Sequence, residues 1–192
     1  MNIVIDQTPP PAYEDLVRAT ADAGFTMASD MATCRLLRTL ATAKPGGRFL
    51  ELGTGTGLST SWILDGMDQQ STLISIDNAP AFLAIARQYL GSDRRLTLVE
   101  SDGGEWIERH IMEKFDYIFA DTWHGKYLML EEALDMLHPG GLYILDDMLP
   151  QPNWPEGHQE KAMRLIASLE ARTDMSFTSQ EWATGIIIGG KK

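Results

Sequence analysis

Phe49-Leu50-Glu51-Leu52-Gly53-Thr54-Gly55-Thr56-Gly57-Leu58-Ser59-Thr60 decides how the rest of the chain is read. A short apolar run ends in an acid, three glycines alternate with threonines, and helix-compatible residues follow. The order predicts a strand, a tight turn and a helix N-terminus. Glycine at 53, 55 and 57 lets the backbone take positive φ and lets a ligand approach where a Cβ would block it. Free N–H groups at the start of the helix favour an anionic or carboxylate group nearby. The stretch points to a small ligand carrying a ribose or a carboxylate.

Upstream, residues 2–5 are expected to be extended, and Pro9-Pro10-Pro11 breaks whatever precedes them. Leu16, Val17 and Ala23 give a weak helical stripe over 12–23, stopped by Gly24. Ser29 or Asp30 can cap a second helix with Leu36, Leu37 and Leu40 on one face, and Lys44-Pro45-Gly46-Gly47 ends it. Downstream, a helix at 58–67 leads to a strand at 72–77 ending in Asp77. A helix at 79–90, stopped by Gly91, leads to a strand at 96–100 and a turn through Asp102-Gly103. A helix at 106–112 precedes a strand at 115–121. A long helix at 127–137, closed by Pro139-Gly140-Gly141, precedes a strand at 142–147. Alternation of this kind predicts an α/β fold with a mostly parallel sheet and helices on both faces. Strand after strand ends at or near an acid, and ligands of such sheets bind beyond the carboxyl ends of the strands. The acids should therefore converge on one rim.

Beyond Asp147 the composition changes. Residues 148–158 form a proline-rich loop with Trp154, too long for a minimal connection. A helix at 159–171 and an antiparallel strand pair at 175–178 and 184–189 complete the chain. The expected organisation is one domain: N-terminal helices (1–43), a ligand-binding core (44–147), a lid loop (148–158), and a C-terminal helix with its strand pair (159–192).

Composition narrows the function classes. At 192 residues, 44% hydrophobic and 22% charged, the chain fits one globular domain. No apolar run approaches the roughly 18 residues of a membrane span. The start lacks a basic region and a long apolar stretch, so it does not read as a secretory signal. Cys34, the single cysteine, excludes an internal disulfide and a cysteine-cluster metal site, and it falls in a helical pattern as a buried thiol. These features fit the cytoplasm. The formal charge of −11 repels polyanions, which argues against nucleic acid and strongly anionic thioester partners.

A dinucleotide fingerprint wants G-x-G-x-x-G, and counting from Gly53 its third glycine is Leu58 here. The glycines instead run G-x-G-x-G with Glu51 two residues ahead. This pattern resembles motif I of the class I S-adenosylmethionine-dependent methyltransferases, in which the acid and the glycine turn hold the methionine end of the cofactor. Further on, Asp121-Thr122-Trp123-His124-Gly125-Lys126-Tyr127 and Leu145-Asp146-Asp147 resemble the catechol and caffeoyl-CoA type O-methyltransferases. In that family an Asp-x-Trp-Lys-x-x-Tyr segment and a later Asp-Asn pair bind one divalent cation. The resemblance runs from about Met27 to the C-terminus, and it implies a Rossmann-like methyltransferase fold.

It also implies roles. Met27, Glu51, Gly53, Thr54, Gly55, Gly57, Ser59, Asp77, Asn78, Asp102, Gly103, Asp121 and Trp123 would bind S-adenosylmethionine. Asp77 would accept from the ribose hydroxyls, and Asp102-Gly103 would meet the adenine. Asp121, Asp146 and Asp147 would hold a metal, and oxygen ligands suit Mg²⁺, Mn²⁺ or Ca²⁺ rather than zinc. The second member of the Asp-Asn pair is Asp147, a departure that adds charge. The family's general-base lysine is His124 here, so His124 with Asp121 is the expected catalytic pair. Lys126 falls at a variable position and reads as solvated. Trp154 is positioned to stack on an aromatic acceptor, and His158 is a second candidate base. The acceptor would be a small neutral, phenolic or cationic molecule, with no nucleic acid and no membrane involved. Family members often form homodimers, although no interface signature stands out. A nicotinamide-dependent oxidoreductase on a similar sheet and a non-catalytic cofactor-binding protein stay open as alternatives.

Overall fold

The computed structural model describes residues 8–151 and 154–192; the segment expected at 2–5, and positions 152 and 153 of the proline-rich loop, lie outside them. Seven strands among the described residues form one sheet. They are β1 (Arg48–Leu52), β2 (Thr72–Asp77), β3 (Leu96–Glu100), β4 (Phe115–Ala120), β5 (Leu137–Leu145), β6 (Met175–Gln180) and β7 (Ile186–Lys191). Their spatial order is β3-β2-β1-β4-β5-β7-β6. β1 pairs in parallel with β2 and β4, β2 with β3, and β4 with β5. β7 runs antiparallel between β5 and β6. The mostly parallel sheet with an antiparallel C-terminal pair is therefore observed. Strand order reverses between β1 and β4, where a doubly wound sheet opens a crevice at its carboxyl edge.

The strands are apolar on both sides because helices cover both. Phe49, Leu73, Tyr117 and Phe119 face one layer, made of α1 (Tyr13–Asp22), α2 (Met31–Thr42), α3 (Leu58–Gly66) and α4 (Pro80–Leu90). Their neighbours in sequence, Leu50, Leu52, Ile118 and Ala120, face α5 (Gly103–His110), α6 (Leu130–Asp135) and α7 (His158–Glu170). Trp62 and Trp106 are core residues of the two layers. Asp30, not Ser29, caps α2, accepting from the Ala32 N–H at 2.7 Å. Cys34 is buried in the first layer, and that burial pushes its thiol well above the usual range. Among the described residues no helix is long and apolar enough to cross a membrane.

Two boundaries differ from expectation. The long helix at 127–137 is only α6, six residues long, because 123–129 is wound into a turn and Met129 takes φ +55°. β5 already begins at Leu137, so Pro139-Gly140-Gly141 is not a helix stop. It belongs to an excursion at a register shift against β4, with Pro139 and Gly140 exposed, Gly141 buried and Gly140 at φ +77°. His138 accordingly sits on β5. α5 starts at Gly103, earlier than the expected 106, because the Asp102 carboxylate caps it by accepting the Gly104 and Glu105 N–H groups.

Candidate active site

The tips of β1, β2, β4 and β5 open on one cavity of about 600 Å³. Its floor is the glycine turn. The Gly53 and Thr54 N–H groups donate to the Ile76 carbonyl, at 2.9 and 3.1 Å. The Gly55 N–H donates to Asp77 Oδ2 at 2.7 Å, and Asp77 Oδ1 accepts the Ala79 N–H at 2.8 Å. A Cβ on Gly53 would lie 2.7 Å from the Asp121 carbonyl oxygen, and φ is +103° there. Glycine is thus what lets the two neighbouring turns touch. The α3 N-terminus follows, with Leu58 and Ser59 in the cavity wall.

Glu51 lies behind this turn instead of in the cavity, which corrects the expectation that it meets the cofactor directly. It is fully buried, and its carboxylate accepts from Ser59 Oγ and Thr60 Oγ1 at 2.6 Å and from Ser75 Oγ at 2.5 Å. Burial pushes its carboxyl up to about 7, opposed by these three hydroxyls. Gly57 is likewise structural: a Cβ on it would meet Ala86 and Leu90 of α4 at 3.0 Å. The other expected contacts line the large cavity, namely Met27, Gly53, Thr54, Gly55, Ser59, Asp77, Asn78, Asp121 and Trp123. Asp102 and Gly103 line an adjoining pocket of about 280 Å³. Gly53, Asp77, Asn78, Thr122 and Trp123 belong to both, so the two spaces form one crevice.

The turn after β4 sorts its side chains to opposite sides. Gly125 takes φ +81°, its carbonyl accepts the Tyr143 hydroxyl at 2.6 Å, and its N–H donates to the Leu128 carbonyl at 2.8 Å. The Trp123 carbonyl accepts the N–H groups of Lys126, Tyr127 and Leu128. His124 therefore points into the adjoining pocket, its Nε2 3.8 Å from Asp102 Oδ1 and its ring against Gly103 and Gly104. It is absent from the lining of the large cavity. The structure thus sets His124 in the adjoining pocket and Asp121 in the large cavity. Lys126, expected in solvent, is the residue turned inward: it is 5% exposed, and its Nζ donates to the Asp146 carbonyl at 2.8 Å.

Asp121, Asp146 and Asp147 reach the same cavity, as the convergence of strand ends required. Burial raises the Asp121 and Asp146 carboxyls above the usual range; Asp146 adds to the rise at Asp121, and Asp147 adds at both. The three do not form a cation cage. Asp146 Oδ1 already accepts Thr184 Oγ1 at 2.5 Å and the Asp147 N–H at 2.8 Å, and Asp121 Oδ2 accepts Ser29 Oγ at 3.0 Å. Among the described residues no three His, Cys, Asp or Glu side chains are gathered as a metal ion needs. The donor set as built does not fit a bound divalent cation.

An aromatic wall closes the other side. Trp123, Tyr127 and Trp154 surround the His158 ring with centroids 5.4, 5.1 and 4.3 Å away, and the Tyr127 hydroxyl lies 3.2 Å from His158 Nε2. Burial, with Lys126 and Lys161 nearby, lowers the His158 pKa. Phe25 and Phe82, 4.5 Å apart, line the cavity beside the glycine turn. Sequence reading passed over Phe25, Phe82 and Tyr127 as site residues. Tyr127 stood in the quoted motif and could have been found there, whereas no pattern marked the two phenylalanines.

A family profile described as "Methyltransferase domain" matches residues 50–148. The chain belongs to this methyltransferase family. Among its relatives, catechol O-methyltransferase B of Danio rerio is 33% identical over 112 residues, covering 53% of this chain and 42% of that protein. The methyltransferase chain spans about half the length of the curated relatives it matches. Among solved structures, an O-methyltransferase from Bacillus cereus in complex with S-adenosylhomocysteine superposes with a TM-score of 0.83 at 20% identity, covering 94% of this chain and 90% of that one. The O-methyltransferase TomG from Streptomyces achromogenes, in complex with S-adenosylmethionine, gives 0.82 at 20% identity over 96% and 91%. The methyltransferase fold expected from the glycine spacing is therefore shown.

Proposed function

We propose that the protein transfers a methyl group from S-adenosylmethionine to a hydroxyl oxygen of a small acceptor. The observation that carries this is the single crevice joining the glycine turn, Asp77 and Asp121. The α3 N-terminus, with the backbone of Leu58 and Ser59 in the cavity wall, suits the carboxylate of the methionine end. Asp77 keeps lone pairs free for ribose hydroxyls, since each carboxylate oxygen can accept more than one hydrogen bond. Asp102, Gly103, Asn78, Trp123 and His124 surround the space left for the base. Met27, at the mouth and 68% exposed, is a flexible apolar cover.

When bound, S-adenosylmethionine supplies a methyl group on a sulfonium, which the acceptor oxygen takes as the carbon–sulfur bond breaks and its electron pair stays with sulfur. The chain's own contribution is to align that oxygen, and alignment can supply much of the acceleration of a displacement. The wall of Trp123, Tyr127 and Trp154 suits a flat, phenol-like acceptor, with loop 148–158 as its lid. His158, neutral at pH 7 and in the same wall, takes the hydroxyl proton in place of His124.

Calorimetry with S-adenosylhomocysteine is expected to show one site per chain, and transfer to a panel of catechols and simple phenols should appear by mass spectrometry. No binding at millimolar S-adenosylhomocysteine would end this reading. Enhanced NADH fluorescence on mixing would favour the oxidoreductase alternative, and binding without transfer to any phenol would favour the non-catalytic one.

A further inference from the structure

Lys126 is placed as lysines in acidic chains seldom are. Its long side chain is buried, and a buried ammonium is costly unless charges of opposite sign and good acceptors surround it. Here they do. It lines the cavity with Asp121, Asp146 and Asp147 and donates to the Asp146 carbonyl. It also draws down both carboxyls that burial pushes up. The backbone makes this placement specific. The turn at Gly125, locked by Tyr143, sends residue 124 to one pocket and residue 126 to the other. Of the carboxylate oxygens a cation would claim, Asp121 Oδ2 is engaged with Ser29, and Asp146 Oδ1 with Thr184 and the Asp147 N–H.

We propose, on the reading that this cavity carries out methyl transfer, that the Lys126 ammonium takes the place of a divalent cation: it balances the three carboxylates and binds the acceptor oxygen, so transfer proceeds without Mg²⁺. Lys126 itself forms and breaks no covalent bond. Its fixed positive charge steadies the oxygen as negative charge grows there on loss of the hydroxyl proton to His158, the role a metal Lewis acid would fill. A charge built into the chain needs no metal supply and costs no dehydration of an ion at each turnover. It also accounts for a donor set rich in carboxylates yet not gathered for coordination.

The test uses Mn²⁺ as the probe, read by electron paramagnetic resonance on the full-length protein with S-adenosylhomocysteine present. The wild type is expected to leave millimolar Mn²⁺ free, and Lys126→Arg, which keeps the charge, should do the same. Lys126→Met should expose the carboxylates and bind Mn²⁺ at least tenfold more tightly, with a rise in melting temperature on adding Mn²⁺ that the wild type lacks. Stoichiometric micromolar binding by the wild type would overturn the proposal. So would a folded Lys126→Met that binds no better than the wild type, because the carboxylates would then never have needed a cation. If Lys126→Met does not fold, the wild type and Lys126→Arg decide. With any phenol the protein methylates, turnover should survive EDTA within twofold, and its abolition with recovery on adding Mg²⁺ would refute the idea. Failure to bind S-adenosylhomocysteine would instead strike the methyl-transfer reading, leaving the Mn²⁺ result to judge Lys126 by itself.

Discussion

The turn after β1 and the turn after β4 touch across the crevice, at Gly53 and the Asp121 carbonyl, yet they are shaped by different kinds of constraint. The first is fixed largely by its own glycines and by hydrogen bonds to β2, the adjacent strand and the next one in sequence. The second takes its shape from Gly125 and from Tyr143, eighteen positions further on in a different strand. The first turn can therefore be read from spacing, while the second depends on tertiary contacts that decide where each side chain points. Most of the cofactor-side residues expected from the motif line the crevice, whereas Lys126, expected in solvent, is turned into it.

The contrast can be broken hardest at its point of contact. Gly53→Val should push a side chain into the Asp121 backbone at a positive φ, costing about 3 kcal/mol or more. It should abolish S-adenosylhomocysteine binding as well; denaturant unfolding and calorimetry read both. Near-wild-type stability would mean that the two turns are not coupled.

Glu51→Gln probes the support beneath the first turn. A carboxyl whose folded-state value is raised to about 7, from a reference near 4.3, contributes stability that is fully present below about pH 4.3 and lost as pH rises through about 7. The lost contribution amounts to up to about 4 kcal/mol. The variant should remove that share of the fall in melting temperature between pH 5 and 8. Asp121 and Asp146, raised as well, would keep a remaining slope of the same sign. An unchanged slope would show that Glu51 is ionised throughout.

Tyr143→Phe tests the second turn alone. Losing the buried hydroxyl–carbonyl bond to Gly125 should cost about 1–2 kcal/mol, leave S-adenosylhomocysteine affinity within twofold, and lower turnover. A drop in cofactor affinity would show that the two sides are not separable. The smallest effect is expected from His124→Ala. Its place beside Asp102 predicts up to about tenfold weaker cofactor binding, about 1.4 kcal/mol, with the pH–rate profile unchanged. Loss of the acidic limb of that profile would return the base to His124.

The same contrast explains what could be read in the chain beforehand. Alternating apolar strands and capped helices gave the sheet, its parallel sense and the convergence of Asp77, Asp121, Asp146 and Asp147, because those depend on local pattern and one topological rule. Lys126, read as solvated, is buried because it stands in a turn whose winding no residue type announces. Pro139-Gly140-Gly141 looked like a helix stop because the same residues serve a strand excursion equally well. Glu51 fitted a ligand contact by motif, yet the hydroxyls of Ser59, Thr60 and Ser75 claim it first.

One contact links the crevice to the end of the chain. Thr184, in the bend just before β7, donates to Asp146, and β7 itself is the strand that covers the outer edge of β5. Chains emerge from the ribosome N-terminus first, and structure begins to form during synthesis. The five parallel strands can thus be in place while the reaction end still lacks this hydroxyl, and a nascent chain would show a bare sheet edge at β5. Completion of the pocket then waits until Thr184 and β7 have been made, so a truncated product stopping before Thr184 would leave Asp146 without this partner.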